Sequence, residues 1–302
     1  MQLIQDKNSA YINHLNYKQL KYLNIPLLLL LIVFAQSCTE RLDMDLEVMK
    51  PTPVITGIIS NEEQWVKLST TSAYLGESEG TAISGATVTV SDGITSFLFQ
   101  ELSGEKGLYL SSTKIAVATG AKLKLNVQAD FTGNGTEQEY TAVAEVAPTP
   151  QLDSITMLVV GSFGDLFWLV QVNYQDVSHE NSYLCRVYVN NMLDMGLNSY
   201  SIFDNRFGYG SYIERKMVAV LYERPFSSDK VQVGDEVKVS FSGITKDYFN
   251  FLYSAEEETG GRNPMFSGPP ANVNGNISNG ALGMFTAYQT STLSVAIVDV
   301  WH

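Results

Sequence analysis

Short apolar stretches separated by turn residues recur between Pro53 and Val146, and this spacing most constrains the fold of the chain. Residues Gly85–Gly93 alternate apolar and polar side chains with a period of two and end in Asp92-Gly93, a strong turn signal. Strands that follow one another roughly every ten residues are typical of a β-sandwich. We therefore predict that residues 51–148 form a β-sandwich.

The residues after this segment also favour strands. Pro148-Thr149-Pro150 interrupts the pattern, because proline offers no backbone donor and restricts the residue before it. Later stretches such as Leu166–Tyr174 and Glu236–Ser242 are rich in β-branched and aromatic residues. We place a domain boundary at residue 148 and predict a mainly all-β chain, with a second β-rich domain over residues 149–302.

One segment of the second domain has the periodicity of a short helix. Between Thr245 and Glu258, apolar side chains recur on one helical face, and Thr245 is a suitable N-cap. Glu256–Glu258 fall at its C-terminal end, where the helix dipole disfavours anions. That end is either a solvated terminus or a site for a cationic partner. Residues Gly260–Gly283 are rich in Gly, Pro and Asn and predict a long ordered loop.

The N-terminal segment has the pattern of a bacterial lipoprotein signal peptide. Lysines precede an apolar run from Ile25 to Ala35, which has about the length of a signal core and is too short to span a bilayer. The run ends in Ala35-Gln36-Ser37-Cys38. We predict a signal peptide over residues 1–37 and lipid attachment to Cys38. An ordinary secretory signal that ends near a cysteine is the alternative.

Residues 38–50 are predicted to form an acidic tether. Acidic side chains soon after a lipidated cysteine resemble the surface-export signals of Bacteroidota lipoproteins, although a solvated linker has the same composition. Twelve extended residues reach at most about 40 Å. The folded body could therefore stand clear of a membrane and still touch a neighbour embedded in it, and the resemblance implies a protein anchored in the outer membrane, facing the cell exterior.

The charge of the chain argues against several partners. The full sequence has 19 Lys and Arg against 32 Asp and Glu, a formal net charge of −13. Removal of residues 1–37 takes away three Lys and one Asp, which makes the remainder −15. Such a chain repels nucleic acid and anionic lipid headgroups. We predict neither nucleic-acid binding nor membrane binding through a basic patch.

Motifs for catalysis or metal binding are missing from the sequence. Outside the signal peptide, histidine occurs only at His179, in a polar turn, and at His302, so a Ser–His or Cys–His nucleophile has little support. No Cys/His cluster has zinc spacing. Glu62-Glu63 is a carboxylate pair at a predicted hairpin tip and is interpreted as solvated. We predict no enzyme activity, no metal and no cofactor besides the lipid on Cys38.

A dense aromatic stretch, Tyr200–Tyr212, lies within the second domain. Aromatic side chains beside glycines and a few charges suit a loop that binds a ligand or a partner. The candidate contact residues are Tyr200, Phe203, Asp204, Arg206 and Tyr209. Alternatively, the stretch is a strand, turn and strand whose rings fill the core.

A candidate modification site follows the proline-rich break. Asp153-Ser154-Ile155 resembles the short O-glycosylation pattern of exported Bacteroidota proteins, with Ser154 as the acceptor. Its place just after the predicted boundary favours exposure.

Two sets of motifs resemble known families. Gly85–Gly93 followed by Gly107-Leu108-Tyr109 resembles the carboxypeptidase-regulatory-like, immunoglobulin-like module. Three segments near the C-terminus resemble the signature of a Bacteroidota outer-membrane lipoprotein family known as domain of unknown function DUF4249. The matching positions are Asn263, Pro264, Phe266, Gly275, Asn276, Asn279 and Gly280. The resemblance covers roughly residues 38–302, and we interpret these positions as shaping a turn-rich loop.

Members of that family resemble companions of TonB-dependent outer-membrane transporters. The resemblance implies a non-enzymatic protein that docks on an outer-membrane β-barrel, alone or together with other lipoproteins, and assists ligand capture or gating. A structural subunit of an outer-membrane assembly or secretion complex is the alternative. A nutrient-specific growth defect on deletion would favour the first hypothesis, and a general envelope defect the second. A carboxylate pair in a cleft would favour an enzyme such as a glycan hydrolase.

Overall fold

The computed structural model describes residues 51–72, 80–162, 165–193, 200–223, 231–259 and 273–298. The predicted signal peptide, the tether with Cys38 and the signature residues Asn263, Pro264 and Phe266 lie outside these ranges. The described part of the chain contains sixteen strands and one helix. The predicted all-β class is therefore confirmed.

The first half of the chain forms most of an eight-stranded sheet. Its strands are β1 (Pro53–Ser60), β2 (Gln64–Thr70), β3 (Thr87–Ser91), β4 (Ser96–Glu101), β5 (Leu108–Ser111), β6 (Lys122–Ala129), β7 (Gln138–Glu145) and the much later β15 (Phe285–Tyr288). Their order across the sheet is β15-β1-β2-β5-β4-β3-β6-β7. The pair β15 and β1 is parallel, and every other neighbouring pair is antiparallel.

The turn predicted at Asp92-Gly93 joins β3 to β4. Asp92 Oδ1 accepts hydrogen bonds from the backbone N–H groups of Ile94 and Thr95 at 2.9 and 2.7 Å. Gly93 has a φ of 91°, a conformation that is accessible because glycine has no Cβ. The turn prediction is confirmed.

The two ends of this sheet meet and enclose a core. Ala147, just after β7, forms a parallel bridge with Tyr288 of β15. The Ser278 N–H donates to the Thr141 carbonyl at 2.9 Å, and the Thr141 N–H donates to Ser278 Oγ at 2.7 Å. The sheet thus folds over itself as a β-sandwich. The largest fully buried side chains of its core are Tyr109, Tyr140, Phe285, Ile55, Ile59, Leu68, Ile115, Leu123 and Leu125.

The second half of the chain forms two further sheets around a second core. Their strands are β8 (Leu152–Ser162), β9 (Asp165–Gln175), β10 (Ser182–Val189), β11 (Met192–Leu193), β12 (Ser201–Asp204), β13 (Tyr212–Glu223), β14 (Glu236–Ile244) and β16 (Thr290–Ala296). One sheet has the order β13-β9-β8, and the other has the order β11-β10-β14-β16 with β12 beside β10. Phe241 lies in the middle of the shared core, with ring centroids 5.1 Å from Tyr183 and 4.8 Å from Tyr174.

The helix predicted from the sequence is confirmed as α1 (Lys246–Thr259). The Tyr248 N–H donates to Thr245 Oγ1 at 3.4 Å, so Thr245 occupies the predicted N-cap. Tyr248 and Leu252 are buried on one face of the helix. No helix in the described residues is long and apolar enough to cross a membrane.

A third hydrophobic cluster joins the first sheet to the second half. It contains Ile58, Leu184, Ile244, Tyr248, Leu252, Met284 and Tyr288. Residues 49–302 form one compact unit by their contacts, and β15 belongs to the first sheet whereas β16 belongs to the second half. The domain boundary at residue 148 stays a prediction.

Candidate functional site

The described family-signature positions hold a loop, residues 273–284, against the first sheet. We name it the signature loop. The Asn276 amide donates to the carbonyls of Phe285 and Val143 at 2.8 and 3.1 Å. Its Oδ1 accepts from the Phe285 N–H at 2.9 Å. One side chain therefore satisfies three backbone groups on β15 and β7 and fixes the loop between them.

Two glycines allow close backbone contacts beneath this loop. A Cβ on Gly275 would lie 1.5 Å from the Gly283 carbonyl oxygen. A Cβ on Gly283 would lie 2.1 Å from the Ile55 carbonyl oxygen. The backbone at Gly275, the backbone at Gly283 and strand β1 thus lie so close together that neither glycine position can hold a side chain.

The last two signature positions form a turn. Asn279 and Gly280 have φ angles of 57° and 71°, in the left-handed region that Asn and Gly tolerate best. The Asn279 amide donates to the Glu139 carbonyl at 2.7 Å. The described signature residues therefore act chiefly on the backbone of the loop and of the strands beside it.

A cleft of about 410 Å³ lies between α1 and the signature loop. The side chains on the helix wall follow helical spacing, so they share one face. The cleft is lined by Asp247, Asn250, Phe251, Ser254 and Glu258 from the helix and by Val273, Asn274, Gly275, Asn276 and Met284 from the loop. The sequence identified the loop and the helix separately, but not that they face each other.

The predicted aromatic stretch divides between core and surface. We name residues 200–212 the aromatic loop. Phe203 packs into the second core, with its ring centroid 5.5 Å from that of Tyr183. Tyr200 packs against the third cluster, and burial raises the pKa of its hydroxyl to about 12. These two candidate contact residues therefore serve the core.

The remaining aromatic side chains of this loop face solvent. Phe207 is 97% exposed, Tyr209 is 53% exposed and Tyr212 is 48% exposed. The Arg206 guanidinium lies over the Phe207 ring, 5.9 Å from its centroid. Three aromatic side chains and a cation thus form an exposed group on one short stretch of chain.

A buried polar network fixes the base of the aromatic loop. Asp176 is 5% exposed and accepts a hydrogen bond from the Tyr183 hydroxyl. The Asn205 amide donates to Asp176 Oδ2 at 3.0 Å, and Asn205 Oδ1 accepts from the Asn181 N–H at 2.7 Å. The Gly210 N–H donates to the Val177 carbonyl at 2.6 Å. The loop therefore presents its aromatic side chains from a hydrogen-bonded base.

Asp204 is an anchoring residue of the aromatic loop rather than a free carboxylate. Its side chain accepts hydrogen bonds from Arg206 Nε at 2.8 and 2.9 Å, and Lys246 Nζ lies 3.4 Å away. These hydrogen bonds from Arg206 and then Lys246, working against burial, lower the pKa of Asp204 to about 2. The contact with Lys246 also ties the loop to the start of α1.

The lowered pKa predicts acid sensitivity through Asp204. A carboxylate with a lowered pKa stabilises the folded state above its unfolded pKa, and that contribution is lost as the pH falls through the folded value. We expect wild type to be more stable than Asp204→Asn near neutral pH, and the difference to shrink from about pH 5 towards about pH 2. Urea unfolding midpoints across this range measure it. Parallel pH profiles for the two proteins would contradict the assignment.

The carboxylate pair at the β1–β2 turn is less solvated than predicted. Glu63 accepts hydrogen bonds from Trp65 Nε1 at 2.9 Å and from Arg186 Nη1 at 3.4 Å. Arg186 Nη1 also donates to the Tyr288 hydroxyl at 3.1 Å. Burial raises the pKa of the hydroxyls of Tyr248 and Tyr288, so both stay protonated beside the guanidinium. Glu63 therefore has protein partners that the prediction did not include, although its side chain stays 41% exposed.

The candidate glycosylation residue lies at the start of β8. Ser154 is exposed, and its Oγ accepts a hydrogen bond from the Asn173 amide at 2.9 Å. Modification of Ser154 stays a prediction.

The described residues hold no group of three or more His, Cys, Asp or Glu side chains that would suit a metal ion. His179 lies exposed in a turn, where its carbonyl accepts from the Asn205 amide at 3.0 Å. Cys185 is a buried free thiol, and burial raises its pKa.

Comparisons with known proteins identify one family. A family model described as domain of unknown function (DUF4249) matches residues 39–294. No curated protein matches the chain. Among solved structures, the chicken CNTN1 FN1–FN3 domains are similar at 13% identity, over 82% of this chain and 68% of that chain, with a TM-score of 0.23.

Proposed function

Since the chain belongs to the family of domain of unknown function DUF4249, we propose that it is a lipid-anchored outer-membrane surface protein of the Bacteroidota type. In this proposal it docks on a β-barrel partner similar to a TonB-dependent transporter and assists ligand capture or gating. It performs no catalysis itself. The lipid is attached to Cys38, and the acidic tether holds the folded body beside the membrane-embedded partner.

The single observation that carries the docking proposal is the exposed group on the aromatic loop. Large aromatic side chains and arginine dominate the binding energy of protein interfaces, because each buries much apolar area at little cost in side-chain freedom. Phe207 is almost fully exposed in the free protein, with Arg206 beside it. The hydrogen bonds of Asn205 and Gly210 hold the loop in place before binding. A partner therefore gains buried aromatic surface without ordering the loop.

The docking prediction is tested with Phe207→Ala. We expect the lipidated protein, captured in mild detergent from its own cells, to retain a β-barrel protein identified by mass spectrometry. Because Phe207 would be a central contact, Phe207→Ala should lower barrel recovery by about tenfold or more. Ile94→Ala is the matched control, since Ile94 is 95% exposed on the β3–β4 turn of the first sheet.

Two outcomes would contradict the docking proposal. One is recovery of the wild-type protein without any barrel. The other is equal barrel recovery by wild type and Phe207→Ala. Recovery of a barrel that serves assembly or secretion would favour the structural-subunit alternative.

The anchor is tested separately with Cys38→Ala. This change removes the sulfur that would carry the lipid, so we expect the protein to leave the membrane fraction. Cys185→Ala is the control, because that thiol is buried and should not affect attachment. Cys38→Ala that remains in the membrane after a high-salt wash would show that the anchor lies elsewhere.

A further inference from the structure

The cleft between α1 and the signature loop has two well-fixed walls. On one side, Tyr248 and Leu252 bury the neighbouring face of the helix in the third hydrophobic cluster. On the other side, Asn276 and Gly275 hold the loop on β15 and on Gly283. A volume of about 410 Å³ lies within the range of roughly 300–1,000 Å³ that is usual for small-ligand sites. The described walls of the cleft are thus held in place by contacts with the rest of the fold.

The cleft contains polar side chains that are open to solvent. Asp247, Asn250 and Asn274 are exposed and Ser254 is half-buried, so a ligand in the cleft can reach their polar groups. Their groups are one carboxylate, two amides and one hydroxyl. Amides and hydroxyls both donate and accept, and the carboxylate accepts. Such a set complements a ligand whose own groups both donate and accept, which is the property of hydroxyl groups.

The charge of the lining selects against anions. Asp247 is an exposed acidic residue of the lining, and no Lys, Arg or His occurs among the described residues that line the cleft. Phosphate and carboxylate ligands need a cation or free backbone donors, and they would meet the Asp247 carboxylate here. Phe251 and Met284 add an apolar surface between the polar side chains. A ligand whose surface alternates between hydroxyl and C–H groups can contact both the polar and the apolar side chains of the cleft.

We propose that this cleft binds a hydroxyl-rich ligand without negative charge, of the size of a mono- or disaccharide. The residues that line the cleft do not include the exposed side chains of the aromatic loop. The inference deepens the ligand-capture part of the proposed function, but its test needs no barrel partner. Loss of barrel recovery in Phe207→Ala and loss of sugar binding in cleft variants are therefore separate results.

The test uses the full chain in detergent and defined sugars. Maltose, cellobiose and N,N′-diacetylchitobiose serve as neutral probes, and glucose 6-phosphate serves as the anionic probe. Saturation-transfer NMR detects binding, and calorimetry measures Kd. We expect at least one neutral disaccharide to bind and glucose 6-phosphate not to bind. Asp247→Asn and Asn250→Ala should each weaken binding about five- to tenfold, the effect of losing one hydrogen bond.

Glu105→Gln is the matched control, because Glu105 is an exposed acidic residue between β4 and β5 and does not line the cleft. Its affinity for the sugar should equal that of wild type. Binding of no neutral probe overturns the proposal, as does wild-type affinity in both cleft variants or tighter binding of glucose 6-phosphate. Far-UV circular dichroism confirms that each variant is folded.

Discussion

Gly275→Ala is expected to lower the free energy of unfolding by about 3 kcal/mol or more. The added Cβ would lie 1.5 Å from the Gly283 carbonyl oxygen, which belongs to backbone and cannot rotate away. Relief of the clash requires the signature loop to rise from β1 and β15, and this movement would break the three hydrogen bonds of Asn276. Urea unfolding followed by tryptophan fluorescence measures the loss.

Gly280→Ala is the matched control for this prediction. A Cβ on Gly280 meets no atom within 4 Å, but its φ is 71°, so only backbone strain of about 1–2 kcal/mol is expected. The two variants therefore separate close packing from backbone conformation. If Gly275→Ala is no less stable than Gly280→Ala, the backbone at Gly275 does not pack closely against the backbone at Gly283.

Arg186→Met is expected to destabilise the fold by about 2–3 kcal/mol. The guanidinium lies between the β1–β2 turn and the second half of the chain, where it donates to Glu63 and Tyr288. Methionine fills much of the space but removes the hydrogen bond to Tyr288 and one of those to Glu63, which keeps its bond from Trp65 Nε1. The Glu63 side chain is 41% exposed and can regain water, so the loss should fall below that of a fully buried pair. Urea unfolding of the same protein measures it.

Lys122→Met is the matched control for the loss of a charge. Lys122 pairs with Glu145 at 3.6 Å, but their side chains are 68% and 54% exposed. Exposed pairs contribute about 0–1 kcal/mol, so this variant should stay close to wild type. Equal losses in Lys122→Met and Arg186→Met would mean that Arg186 adds nothing beyond a surface charge. If Tyr288→Phe lowers the free energy of unfolding only slightly in the Arg186→Met variant, the two side chains stabilise the fold together.

Elements with a strong local pattern were predictable from the sequence. The alternation of apolar and polar residues in Gly85–Gly93 predicted β3 and the turn after it, because side chains of a half-buried strand must alternate between core and solvent. The helix was predicted because Tyr248 and Leu252 recur at helical spacing after a capping threonine. In each case the information lies within about ten neighbouring residues.

Pairings between distant segments were not predictable. Strand β15 joins β1 in parallel, although more than half the chain separates them, and no local pattern identifies a partner across that distance. The same holds for Arg186 and Glu63, which are 123 positions apart. The cleft depends on such a pairing as well, because the signature loop that forms one of its walls leads into β15, which pairs with the distant β1.

The aromatic loop shows most clearly which properties the sequence determines and which depend on the tertiary structure. The sequence alone determined that aromatic, glycine and charged residues are concentrated in one stretch, and it also determined the predicted lipid anchor and the family signature. Only the tertiary structure decided that Phe203 packs into the core and Phe207 faces solvent. The physical reason is that local periodicity sets how a strand alternates, whereas exposure depends on which distant segment covers each side chain. The buried bonds of Asp176 to Asn205 and Tyr183, which fix this loop, join residues that are apart in sequence.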